Sequence, residues 1–118
     1  MKQGLLAAAL LLLACTGAAG PEIDHLEPAT APRGATVTVR GAGFCGPARA
    51  AETGACLTPP SGAVDLGLVL PMTRAPVLTW TDAAIAVQVP GTVAPGPTPL
   101  IVTVDGRSSN PATLEILP

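Results

Sequence analysis

From residue 21 onward the chain never runs far without a proline or a glycine, and the apolar runs between them alternate with a period of two. Val37 and Val39 alternate with Thr36, Thr38 and Arg40. Ile85, Val87 and Val89 alternate with Ala84, Ala86 and Gln88. Leu100, Val102 and Val104 share one face of a third run, and Leu114 and Ile116 share one face of a fourth. A period of two places every second side chain on one face of a strand, so each run reads as a half-buried strand. No stretch after residue 20 holds a 3.6-residue apolar period long enough for a helix. The 13 glycines and 14 prolines restrict the chain in the same direction, and a 48% hydrophobic content separates it from Pro- and Gly-rich disordered chains.

Three further runs complete the set. Ile23 and Leu26 are the apolar residues of the first. Val64, Leu66, Leu68 and Leu70 alternate with Asp65, Gly67 and Val69, and Val77 to Trp80 forms a short strand. Pro71 and Pro76 bracket a turn or edge segment, Thr92 to Pro99 is a Pro/Gly loop, and Asp105-Gly106 opens a turn through Pro111. About seven short strands with turn signals between them make an all-β, two-sheet sandwich of roughly 100 residues. Val37, Val39, Ile85, Val87, Val89, Leu100, Val102, Val104, Leu114 and Ile116 are expected to point inward. Thr38, Ala86, Gln88, Thr103 and Glu115 are expected to point out.

The N-terminus has a different grammar. Lys2 is followed by an unbroken apolar run from Leu5 to Leu13, too short for the roughly 20 residues that span a bilayer. The segment 1–14 therefore reads as a secretory signal peptide. Leu12-Leu13-Ala14-Cys15 resembles the lipobox of bacterial lipoproteins. That resemblance implies cleavage before Cys15, a diacyl lipid on its sulfur, and a membrane reached through that anchor. Residues 15–20 form a short uncharged tether, and 21–118 form the domain. The implied address is the bacterial cell envelope. Thr16 stands where an Asp signals inner-membrane retention in some Gram-negative bacteria, which favours the outer membrane in such a source.

With Cys15 assigned to lipid, Cys45 and Cys56 remain as an even pair. An exported chain folds in an oxidising compartment, so the two are expected to form a disulfide. It closes a loop of roughly 12 residues, worth about 3 kcal/mol by chain entropy. Two cysteines and His25, the only histidine, fall short of the four ligands of a structural zinc site, so no metal is expected.

Pro-Glu-Ile-Asp-His-Leu-Glu-Pro (21–28), Gly-Ala-Thr-Val-Thr-Val-Arg-Gly-Ala-Gly-Phe (34–44), Trp-Thr-Asp (80–82) with Ile-Ala-Val-Gln-Val-Pro (85–90), and Leu-Ile-Val-Thr-Val-Asp-Gly-Arg-Ser-Ser-Asn (100–110) occur in order along the chain. Together they resemble the IPT/TIG domain, which implies an immunoglobulin-like sandwich from Pro21 to Pro118. The stretch from Cys45 to Pro60 departs from the pattern as a cysteine-bridged insertion. The resemblance supplies no catalytic residue, and a fold of this kind serves many functions.

Residue by residue, the chemistry on offer is sparse. Phe44 and Trp80 are the only aromatics, and both are assigned to the core, although an exposed Trp80 would suit sugar stacking. His25 has no sequence-adjacent nucleophile and reads as a partly exposed strand-end residue. Asp65, Asp82 and Asp105 are isolated, unlike the clustered oxygens of a calcium site, and read as solvated turn acids. Gly34, Gly41, Gly43 and Gly106 are expected at turns with positive φ. Removing Lys2 with the leader takes the net charge from −2 to −3 and leaves five scattered arginines, which argues against nucleic acid as a partner. The expected function is a lipid-anchored, non-enzymatic envelope module without a cofactor. Its partner is an unidentified protein or polysaccharide, and carbohydrate binding is the alternative role.

Overall fold

The computed structural model describes residues 20–46, 50–57, 61–67 and 72–118. The described residues form strands and turns and contain no helix. They build ten strands: β1 (Glu22–Glu27), β2 (Thr30–Pro32), β3 (Thr36–Ala42), β4 (Gly62–Leu66), β5 (Thr73–Arg74), β6 (Val77–Trp80), β7 (Ala84–Gln88), β8 (Gly96–Val104), β9 (Arg107–Ser108) and β10 (Ala112–Leu117). One sheet has the order β1-β3-β7-β6. The other has the order β2-β10-β8-β4-β5, with β9 paired to the end of β8. All neighbours are antiparallel except β2 and β10.

Period-two alternation sets the register. Val37 lies opposite Val87 and Val39 opposite Ile85 in the first sheet. Val64 lies opposite Val102 and Leu66 opposite Leu100 in the second. These pairs meet in one core with Phe44, Leu114 and Ile116. All ten residues expected to face inward are buried. The five expected to face outward are half-buried or exposed. A one-residue slip would exchange the two sets, so burial of one face fixes the pairing.

The first strand meets its neighbour through a bulge. Ile23 pairs with Gly41 and His25 with Arg40, so one residue of β1 is extra. That residue lets Ile23 and Leu26, three apart, both point inward. Asn110, in the connection between β9 and β10, supports the bulge: its side-chain oxygen accepts from Ile23 N at 2.7 Å and its amide donates to Ile23 O at 2.9 Å.

Residues 96–99, expected in a loop, are the first part of β8. Thr98 pairs with Leu114 of β10, while Pro99 O faces the other side and accepts from Gly67 N at 3.1 Å. A residue's N–H and C=O point to the same side of an antiparallel strand. Pro97 and Pro99 therefore direct their missing donors beyond the end of the β4 ladder and leave the β10 pairing intact. Residues 30–32 form β2 against β10 and carry the chain from one sheet to the other, with Ala31 buried. Arg107 and Ser108 form β9 after a two-residue turn in which Asp105 (φ 48°) and Gly106 (φ 81°) are both left-handed, as a type I′ hairpin requires. Strand β4 ends at Leu66; Leu68 and Leu70 lie outside the described residues.

Candidate functional site

The most elaborated part of the molecule is the end of the sandwich where the described chain begins. Pro21 is buried, and its Cα lies 3.5 Å from where a Cβ on Gly43 would sit. Gly20 lies against Arg107 and Ser108. This near pole thus collects the start of β1, the Gly-x-Gly-Phe corner, the β6–β7 turn and the β8–β9 turn.

The corner is built by close approach as much as by turn geometry. Gly34, Gly43 and Gly106 have positive φ, as expected. Gly41 does not; it lies inside β3, where a Cβ would strike Glu22 O and come within 2.7 Å of the Phe44 ring. Phe44 is fully buried, which confirms its assignment to the core. Trp80 is only half-buried at the core margin. Its indole N–H donates to Phe44 O at 2.7 Å, and its ring lies beside Gly62.

Cys45 and Cys56 form the expected disulfide, with Cα atoms 5.1 Å apart. Backbone bonds organise the described part of the loop: Ala51 N donates to Ala55 O at 2.8 Å and Gly54 N to Ala51 O at 2.9 Å. Asp82 joins loop and turn. Its carboxylate accepts from Cys45 N at 3.0 Å, its carbonyl accepts from Phe44 N at 3.1 Å, and its N–H donates to Gly54 O at 2.8 Å. Asp82 is therefore a half-buried link and not the solvated turn acid expected. Asp105 accepts from Ser61 N, and Asp65 lies within β4, paired with Arg74 at 3.1 Å. Nothing in the spacing of Asp82 and Asp105 reveals such partners, because Cys45 and Ser61 come from segments distant in sequence.

Outside the corner, β1 and β3 present a charged group. His25 Nδ1 lies 2.7 Å from Asp24 and its Nε2 lies 3.3 Å from Glu27. Arg40 donates to the other Glu27 oxygen at 2.7 Å. The bond to Asp24, then that to Glu27, raises the His25 pKa above its usual value. The Arg40 guanidinium, then His25, lowers that of Glu27. Both ring nitrogens thus face carboxylates, an arrangement suited to an imidazolium in a surface ion network and not to a general base poised on a nucleophile. His25 lies within β1 and is exposed, near the position expected. Among the described residues no group of three or more His, Cys, Asp or Glu side chains is placed to hold a metal ion. Cys15 lies outside the described residues.

Comparison with known proteins agrees with this architecture. The chain is similar over 84% of its length to 12% of a gamma-CGTase chain from alkalophilic Bacillus clarkii, at 27% identity and a TM-score of 0.62. It is similar over 84% of its length to 22% of a structural-genomics protein of unknown function from Bacteroides thetaiotaomicron, at 16% identity and a TM-score of 0.63; that likeness shows the fold alone. The chain thus spans a small part of each of these larger chains. No curated protein matches it. The model of the IPT/TIG domain matches residues 21–116, which take in every strand but the last residue of β10, and the chain belongs to the IPT/TIG family.

Proposed function

We propose that this chain is a lipid-anchored, non-enzymatic module of the bacterial cell envelope that works through protein–protein contact or envelope architecture. In this reading 1–14 is removed as a signal peptide, Cys15 carries the lipid and 16–20 is the tether. The outer membrane is the favoured location if the source is Gram-negative. The observation that carries the non-enzymatic part is membership of a family of immunoglobulin-like modules. The disposition of the polar groups supports it. The His25 ring is engaged by two carboxylates, Asp82 by backbone of the disulfide loop, and Asn110 by the bulged first strand. The lipobox-like Leu12-Leu13-Ala14-Cys15 carries the anchor. Intact-mass measurement of membrane-extracted protein tests it. The expected result is a chain that begins at Cys15 with added acyl mass, lost in Cys15→Ser. A soluble product that begins near Pro21 would refute it.

The half-buried Trp80 favours a second reading, a carbohydrate-binding module. An indole held at one edge by Phe44 O retains accessible surface for a sugar ring. A change of Trp80 emission during titration with soluble oligosaccharides would support this reading. Unaltered emission would leave protein contact as the function.

A further inference from the structure

We infer that the near pole is the face this domain turns toward the lipid surface, with Leu57 as its apolar contact. The inference rests on the lipid-anchor reading above and adds an orientation to it. Three observations converge. First, the chain is seated in the body as far back as Gly20. Pro21 is buried, Gly20 lies against Arg107 and Ser108, and Asn110 grips both backbone groups of Ile23. Only the residues between Cys15 and Gly20 are then left to span from lipid to protein. Fully extended, those five steps reach about 17 Å. Strand β8, nine residues long, extends about 30 Å along the sandwich. An anchor this short brings the near pole to the lipid.

Second, the disulfide loop lies at that same pole. Pro21 packs beside Gly43, Phe44 and Cys45 follow, Cys45 is bonded to Cys56, and Leu57 is next. Third, Leu57 is 67% exposed, more than Leu78 (54%), Val77 (41%) and Leu117 (40%), the other exposed large hydrophobics among the described residues. An apolar side chain in that position gains by entering the boundary between headgroups and acyl chains. The charged groups of the pole select the kind of surface. Among the described residues the exposed acids Glu22, Glu52 and Asp105 outnumber Arg107, the one exposed arginine of the pole, so these residues supply no basic cluster for anionic lipid. A zwitterionic surface is the appropriate probe. Leu117 lies at the opposite pole, where β10 ends beside Pro32, and Leu78 lies on the β6 edge.

The experiment uses the acylated full-length product in phosphatidylcholine vesicles, with and without bromine near the headgroup end of the acyl chain. Leu57→Trp, Leu78→Trp and Leu117→Trp are each read against the parent chain, whose Trp80 supplies a common background. The emission added at position 57 should fall by roughly half in brominated vesicles, as expected for a side chain at the headgroup boundary. The emission added at 78 and 117 should be unchanged. Quenching at 78 or 117 in place of 57, or at none of the three, with the protein in the vesicles overturns the orientation and leaves the anchor standing. A product without acyl mass that fails to sediment with vesicles overturns the anchor and the orientation together.

Discussion

The β7 region and the described part of the segment 43–57 are both fixed by hydrogen bonds, yet different forces hold them. Strand β7 lies between β3 and β6, and its Ile85 and Val87 are buried against Val39 and Val37. Its stability comes from apolar area removed from water, about 25 cal/mol per Å2. In the 43–57 segment Phe44 and Cys45 are the only described residues that are fully buried. The other described residues of the segment are held by backbone bonds within it and to the β6–β7 turn and by one disulfide. The lesson is that a small sandwich adds an irregular segment by stitching it to turns, without extending its core.

Phe44 lies in the 43–57 segment but its side chain is part of the core, so its loss should have the largest effect. Phe44→Ala should destabilise by about 3–5 kcal/mol, measured by denaturant titration, because it leaves a cavity in the core. A loss below about 1 kcal/mol, far under the usual range for such a truncation, would show that the corner does not contribute to the core. Removing the bridge comes next. Cys45→Ala with Cys56→Ala should cost at most about 3 kcal/mol and leave a cooperative transition with an unchanged slope. Collapse of the whole fold would mean that the loop is part of the core after all.

The surface cluster on β1 and β3 should matter least. Its folded-state His25 pKa is raised, so the stability it contributes is fully present below the ordinary value of 6.5 and is lost as pH rises through the folded value. The Glu27 pKa is lowered, so its contribution is present above 4.5 and is lost as pH falls through the folded value. His25→Gln should flatten the upper of these two slopes in thermal melts across pH. An unchanged slope would assign it to another group. Both groups are exposed, so both effects should be small and should shrink with added salt.

The two regions also differ in how far they can be read from sequence. The inward set of β3, β7, β8 and β10 is legible because a half-buried strand repeats every two residues. The order of the strands within the sheets is not written in that period. Thr30–Pro32 and Gly96–Pro99 look like turns, since their prolines lack donors. Only the geometry shows that Pro97 and Pro99 turn their missing donors away from β10. At the near pole the disulfide is legible from the cysteine count and the compartment. The roles of Asp82 and Asn110 are not, because their partners lie 37 and 87 residues away. Gly41 reads from sequence as a turn glycine with positive φ, whereas its real constraint, the close approach of Glu22 and Phe44, depends on the β1–β3 pairing.

The central claim is that one face of each strand holds the fold together, and adjacent residues of β7 test it most directly. Val87 is buried opposite Val37, while Gln88 is exposed and its side chain donates only to Gly34 O at 3.3 Å. In parallel denaturant titrations Val87→Ala should lose about 1–3 kcal/mol through lost burial and a cavity. Gln88→Ala should lose under about 0.5 kcal/mol, as an exposed change does. Equal losses, or a larger loss at Gln88, would contradict the register of β7 and the sandwich built on it.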